Sequence, residues 1–321
     1  MEQRINMSLS ALPAEVFSPV AQGWYLLLDR TQSNPLAAEE GIQSVPAGAA
    51  IVLEDAFFAH EPERAPLLID LSVLPGMTEE QKHFWAQLGT DGIRQSLTRG
   101  GNAMVAGWLY SKQPAEQVQQ HLRRLFAQPY PDGQMHHLRY YDPRITRLLD
   151  ESLPAVKRIQ LLGPMDAWWY ADFSGEYRCM RHDSQWPRSG HLVLAPEDWQ
   201  ALDLAAPYHH LLRCLNGLHE LYPMTVALDE VPDFVQVCTL LRQAAARPWV
   251  ASQDDMVGCA LLWLLLGGDC SERYPEVAAE LQQYQQDRSP SLTEWLLFAG
   301  GEFWAKPIRW PSADKTRGVV A

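Results

Sequence analysis

The chain has 321 residues, of which 47% are hydrophobic and 20% charged. That is enough apolar material for one large domain or two modest ones, and too much for a disordered chain. Acidic side chains outnumber basic ones 39 to 26, a net charge of -13, which argues against a phosphate-binding face or docking on anionic lipid; neither nucleic acid nor membrane insertion is expected.

The first residues contain no apolar stretch of signal-peptide length. The longest apolar run, Cys259 to Leu266, is eight residues and too short to span a bilayer. The five cysteines (Cys179, Cys214, Cys238, Cys259 and Cys270) include no CxxC pair, so reduced thiols in a cytoplasmic protein are expected.

In chain order, Trp24 to Leu28 is an apolar run ending at Asp29, and Leu67 to Leu71 precedes a Ser-Val-Leu-Pro-Gly turn. Ala103 to Tyr110 follows Gly100-Gly101, and His137 to Tyr141 precedes Asp142-Pro143. Short runs separated by helical stretches predict βα units: an α/β fold whose N-terminal sheet is mainly parallel and flanked by helices, over residues 1–185. Val118, Leu122, Leu125 and Phe126 make one apolar stripe, which predicts a helix from Ala115 to Ala127. Trp168 to Phe173 and Glu176 to Arg181 flank Ser174-Gly175 and read as a hairpin.

Near residue 185 the pattern turns helical, and residues 186–321 are expected to form a C-terminal α-helical lobe. Pro196 with Glu197 and Asp198 marks one helix start. Pro232-Asp233 opens another, with Phe234, Val237, Cys238 and Leu241 on one face. Ser252 with Asp255 resembles a capping box for a helix that stops at Gly267, and Glu276 to Gln286 forms a further helix.

Chemistry is sparse. There is no GxSxG elbow and no P-loop, and the paired glycines sit where helices end. His136 and His137 are neighbours on a strand, so they point to opposite faces and do not chelate one ion. His209-His210 with His219 lacks zinc-protease spacing, and His182-Asp183 lacks a nucleophile. Asp29 is the best isolated acid, because open α/β sheets place their sites at strand C-terminal ends. No cofactor and no metal are expected. Twelve tryptophans are many for this length; Trp168-Trp169-Tyr170 and Phe303-Trp304 with Trp310 are aromatic clusters of the kind that anchor protein interfaces.

The most distinctive stretch is Leu138-Arg139-Tyr140-Tyr141-Asp142-Pro143-Arg144, followed by Leu148-Leu149 and Leu161-Leu162-Gly163-Pro164. It resembles the signature of the type VI secretion effector adaptor, or chaperone, family. That family opens with an aromatic-apolar strand ending in aspartate, matched by Tyr25 to Asp29, and carries a tryptophan-bearing strand after its Gly-Pro turn, matched by Trp168 and Trp169. The resemblance extends from about Trp24 to Trp295. It implies a cytoplasmic adaptor that binds a toxic effector near the effector's N-terminal region and presents it to the VgrG spike, without catalysis. Within the motif, Arg139 and Arg144 flank Asp142, a guanidinium fork suits a carboxylate, and Pro143 fixes a strand-to-helix corner. Asp29, Arg139, Tyr140, Tyr141, Asp142, Arg144, Trp168 and Trp169 are the candidate motif and partner-binding residues. The alternative is an α/β hydrolase-like enzyme with its site near Asp29 and Asp142; an immunity protein that neutralises a toxin is a third reading.

Overall fold

A computed structural model describes residues 12–13, 16, 22–31, 48–73, 79–98, 103–173, 175–182, 190–222, 232, 234–267, 277, 279, 281–282, 284 and 291–298. The chain separates into two units, Met1–Asp203 and Leu204–Ala321. The division expected near residue 185 falls outside the described residues, as do Phe303, Trp304, Trp310 and most of the helix expected from Glu276 to Gln286.

The first unit holds a six-stranded sheet. Its strands are β1 (Trp24–Leu28), β2 (Ala50–Val52), β3 (Leu67–Asp70), β4 (Val105–Tyr110), β7 (Ala167–Ala171) and β8 (Tyr177–Arg181), in the order β2-β3-β1-β4-β7-β8. A two-stranded ribbon, β5 (Ala127–Pro129) with β6 (Met135–His137), stands apart from it. The helices are α1 (Glu79–Thr98), α2 (Ala115–Leu125), α3 (Pro143–Ser152), α4 (Ala155–Leu162) and α5 (Pro196–Leu202).

The expected mainly parallel sheet is corrected: every hydrogen-bonded neighbour pair in it is antiparallel. Two physical reasons misled the pattern. Every residue of β1 and β7 is buried, so the polar–apolar alternation that betrays a half-solvated antiparallel strand is absent. In addition, β3, α1 and β4 do form a crossover between strands of like direction, but β1 lies between those strands and opposes both. It is a βαβ unit split by an antiparallel strand.

The run His137 to Tyr141, expected as a strand, is strand only at His137, the last residue of β6, and its other residues turn toward α3. Other local signals translate more closely. The hairpin forms, with Gly175 in the left-handed region at φ 78°. Helix α2 ends at Leu125, two residues earlier than its stripe predicted, because Ala127 begins pairing with His137. Its buried Val118, Leu122 and Leu125 are the predicted stripe, and Arg123 and Arg124 in its last turn complement the helix dipole. Helix α5 belongs to the first unit: Trp199 donates its indole N–H to the carbonyl of Pro129 at 2.7 Å, and the Asp198 carboxylate accepts from Ala195 N–H at 2.6 Å.

The second unit is helical throughout its described residues, with α6 (Ala205–Leu221), α7 (Phe234–Ala245), α8 (Gln253–Leu266) and a further helix Leu292–Phe298. Helix α8 packs against the other three, which explains the run Cys259 to Leu266: a helix apolar all round is a central one. Ser252 caps it by accepting from Asp255 N–H at 3.0 Å, and Gly267 ends it at φ 80°. No helix among the described residues is long and apolar enough to cross a membrane.

Candidate functional site

The motif stretch makes a corner between β6 and α3. Asp142 has extended backbone, φ -84° and ψ 116°, and is the N-cap of α3, with Pro143 in the first turn. Its Oδ1 accepts from the backbone N–H of Arg144 at 3.1 Å. The Arg144 guanidinium then closes a fork on the same carboxylate, Nε to Oδ1 at 2.9 Å and Nη2 to Oδ2 at 2.6 Å. Thr146 locks the turn from behind, donating its hydroxyl to the carbonyl of Tyr140 at 2.7 Å.

Asp29 reaches this corner from the C-terminal end of β1. Its N–H donates to the carbonyl of Met104 at 2.7 Å, and its Oδ1 accepts from the N–H and the hydroxyl of Thr31 at 2.8 and 2.6 Å. Arg139 links the two acids: its Nη2 lies 3.3 Å from Asp142 Oδ2 and 3.7 Å from Asp29 Oδ2 and donates to Thr31 Oγ1 at 3.3 Å. Asp29 is 3% exposed, whereas the Arg139 side chain is 41% exposed. The corner is thus two buried carboxylates, one held by the Arg144 fork and both reached by a guanidinium that also meets solvent.

Burial pushes the Asp29 carboxyl up to about 6; the Thr31 hydrogen bonds pull it down, Asp142 adds to the rise, and Arg139 offsets part of it. A raised folded-state value means that the native protein holds this proton where the unfolded chain has lost it. The resulting stability is present below pH 3.8 and is lost as pH rises through about 6. Asp29→Asn keeps the Oδ1 acceptor without the titration. Relative to this variant, the wild type should lose about 3 kcal/mol between pH 3.5 and pH 7, at about 1.4 kcal/mol per pKa unit. Urea unfolding of both proteins across that range measures the difference; parallel stability profiles would refute the assignment.

The aromatic residues lie in layers. Tyr140 is fully buried, with its ring 5.2 Å from that of Phe126 and 6.2 Å from that of Trp168. Tyr141, also buried, is hydrogen-bonded through its hydroxyl to His137 Nε2 at 3.1 Å. The His137 ring stacks on Phe57 at 3.9 Å and on Phe126 at 5.3 Å. Burial drives its pKa down to about 4, with Arg139 acting in the same direction and Asp55 opposing, so the stacked imidazole is neutral at physiological pH. His136 points to the other face of the ribbon, against Tyr130 and Trp199, as strand alternation requires.

Five of the eight candidates, Asp29, Arg139, Tyr141, Asp142 and Arg144, therefore converge. Tyr140 and Trp168 lie beneath them in the core, and Trp169 packs in the sheet against Trp24 at 5.0 Å. Thr31 and Phe57 were missed. Both carry a usable signal, an aspartate two residues earlier whose carboxylate accepts their backbone N–H. Among the described residues no group of three or more His, Cys, Asp or Glu is placed to hold a metal ion.

The corner draws its members from two segments, the end of β1 and the stretch from Arg139 to Thr146. Residues 24–160 match the family model described as a domain of unknown function, DUF4123. No curated protein and no solved structure gives a match. The DUF4123 match begins at the first residue of β1 and ends inside α4. It covers less than half of the chain, where the resemblance read from the sequence ran on to Trp295. It contains every member of the ion-pair corner and neither Trp168 nor Trp169.

Proposed function

We propose that this chain is a type VI secretion effector adaptor, or chaperone. It binds a cognate toxic effector by the effector's N-terminal region and helps load it onto the VgrG spike, acting in the cytoplasm and without catalysis. The observation that carries this reading is the coincidence of the DUF4123 match with the Arg-Tyr-Tyr-Asp-Pro-Arg corner. Physical support comes from the way the buried carboxylates fix Arg139, the corner's solvent-facing member, since a preorganised side chain loses little entropy on binding a partner. The net charge of -13 suits a partner with a basic surface. Co-expression with a toxin captured by pull-down from native cytoplasm should give a stable complex and raise the toxin's soluble yield severalfold. A toxin that is equally soluble alone and elutes separately from the chain would defeat the reading.

The second reading, an α/β hydrolase-like enzyme, is favoured by one observation: the buried Asp29 carboxyl is raised toward the range useful for acid–base chemistry. Asp29→Asn separates the two. An enzyme would lose turnover of chromogenic esters about a hundredfold or more, whereas an adaptor would keep its effector.

A further inference from the structure

The exposed face of the β5–β6 ribbon is apolar. Ala127 and Pro129 pair across it with His137 and Met135, so these four side chains share one face. The opposite face carries His136 against Tyr130 and Trp199. On the open face Met135 is 62% exposed, and Phe57, stacked flat on His137, is 63% exposed.

An exposed phenylalanine is usually a mobile one, but Phe57 is fixed from three sides. Asp55 caps its short 3-10 turn by accepting Phe57 N–H at 2.9 Å. Its neighbour Phe58 is buried against Phe126 at 5.8 Å. The His137 ring beneath it is held in turn by the Tyr141 hydroxyl. A large aromatic surface whose conformational entropy is already spent is the usual form of an interface anchor.

The rim decides the partner. Glu54, whose side chain is 77% exposed, and Asp55 lie three and two residues before Phe57, whereas Asp132 at the turn of the ribbon gives its carboxylate to His136 on the other face. Arg123, the cation beside Glu54, spends its Nε on the Glu54 carbonyl at 2.9 Å, and its Nη2 is 4.0 Å from the carboxylate. The face is therefore apolar at the centre and acidic at the edge, in a chain of net charge -13.

We propose that Phe57 and Met135 form the docking face for a cationic amphipathic segment of the effector, an apolar side chain flanked by lysine or arginine. This rests on the adaptor reading and names the surface and the chemistry of the partner segment that it would hold. Electrostatic attraction from the rim would set approach and register, and the phenylalanine would set residence time.

The test uses the full chain and fluorescein-labelled ten-residue peptides in which leucine or phenylalanine alternates with lysine, with glutamate or with serine, read by fluorescence anisotropy. The lysine peptide should bind, more tightly at low salt. Phe57→Ser should weaken it about tenfold or more, and Met135→Ser less. Both variants alter exposed residues, so their unfolding midpoints should match that of the wild type, and a mismatch would be met by repeating the series with Phe57→Leu. Equal affinity of wild type and Phe57→Ser, or preference for the glutamate or serine peptide, would overturn the assignment. Because no effector enters the assay, such a failure leaves co-purification as a separate test of the adaptor reading.

Discussion

Asp142→Ala is expected to lower the stability of the first unit by about 3 kcal/mol, the larger part from removing the carboxylate gripped by the Arg144 guanidinium and about 1 kcal/mol from the lost N-cap. Arg144 is itself mostly buried, its side chain 17% exposed, and both of its forked hydrogen bonds end on this one carboxylate. Removing the acid takes from a mostly buried guanidinium the carboxylate that its fork grips, which is the costly half of breaking a buried pair. Asp142→Asn keeps the Oδ1 that caps the helix and accepts from Arg144 Nε but loses the charge and the Oδ2 arm, so it should recover about 1 to 2 kcal/mol. Arg139→Ala, which removes a guanidinium that still meets solvent, should cost only about 1 kcal/mol. Urea unfolding followed by tryptophan fluorescence reports all three. If Asp142→Ala and Arg139→Ala cost the same, the Arg144 fork is not what holds the corner.

The second large effect is expected at Gly107, in the middle of β4. Its φ is 155°, and an added Cβ would overlap the Trp168 indole nitrogen and the Trp169 carbonyl on the adjacent strand β7. Neither obstacle is the loose end of a flexible side chain: one belongs to a fully buried ring and the other to backbone. Gly107→Ala should therefore cost about 3 kcal/mol, combining an overpacked core with a backbone conformation that alanine rarely adopts. Gly133 provides the control. It also has positive φ, 83°, but nothing lies within 4 Å of its added Cβ, so Gly133→Ala should cost about 1 kcal/mol or less. Thermal unfolding by circular dichroism separates them, with the near-ultraviolet tryptophan signal altered only in Gly107→Ala. Similar midpoints for the two variants would show that backbone conformation, not packing against Trp168, governs this strand.

The same corner illustrates what a sequence discloses. Asp142, Pro143 and Arg144 are adjacent in the chain, so the proline corner and the guanidinium fork follow from covalent proximity and were anticipated together, whereas the cap at Asp142 was not. Asp29 was singled out only for its position after an apolar strand. Its approach to Arg139, across more than a hundred residues of chain, carries no local signature, and neither does the hydrogen bond from Arg139 to Thr31. Trp168 and Trp169 were noticed for their type and proved to be sheet interior. The solvent-facing aromatic, Phe57, was passed over, because exposure depends on which neighbours arrive from elsewhere in the chain.

By itself the sequence determined the short-range events: the hairpin around Gly175, the cap at Ser252, the stop at Gly267 and the stripe of α2. Each is fixed by dihedral preferences and hydrogen bonds spanning a few residues. Only the tertiary structure decided the direction of the strands and the membership of the Asp29 corner. Strand direction is set by the end of the sheet to which a connection returns, and strands buried on both faces read alike in either orientation. The corner forms because the sheet order brings the end of β1 to the start of α3, a juxtaposition that no residue in either segment encodes alone.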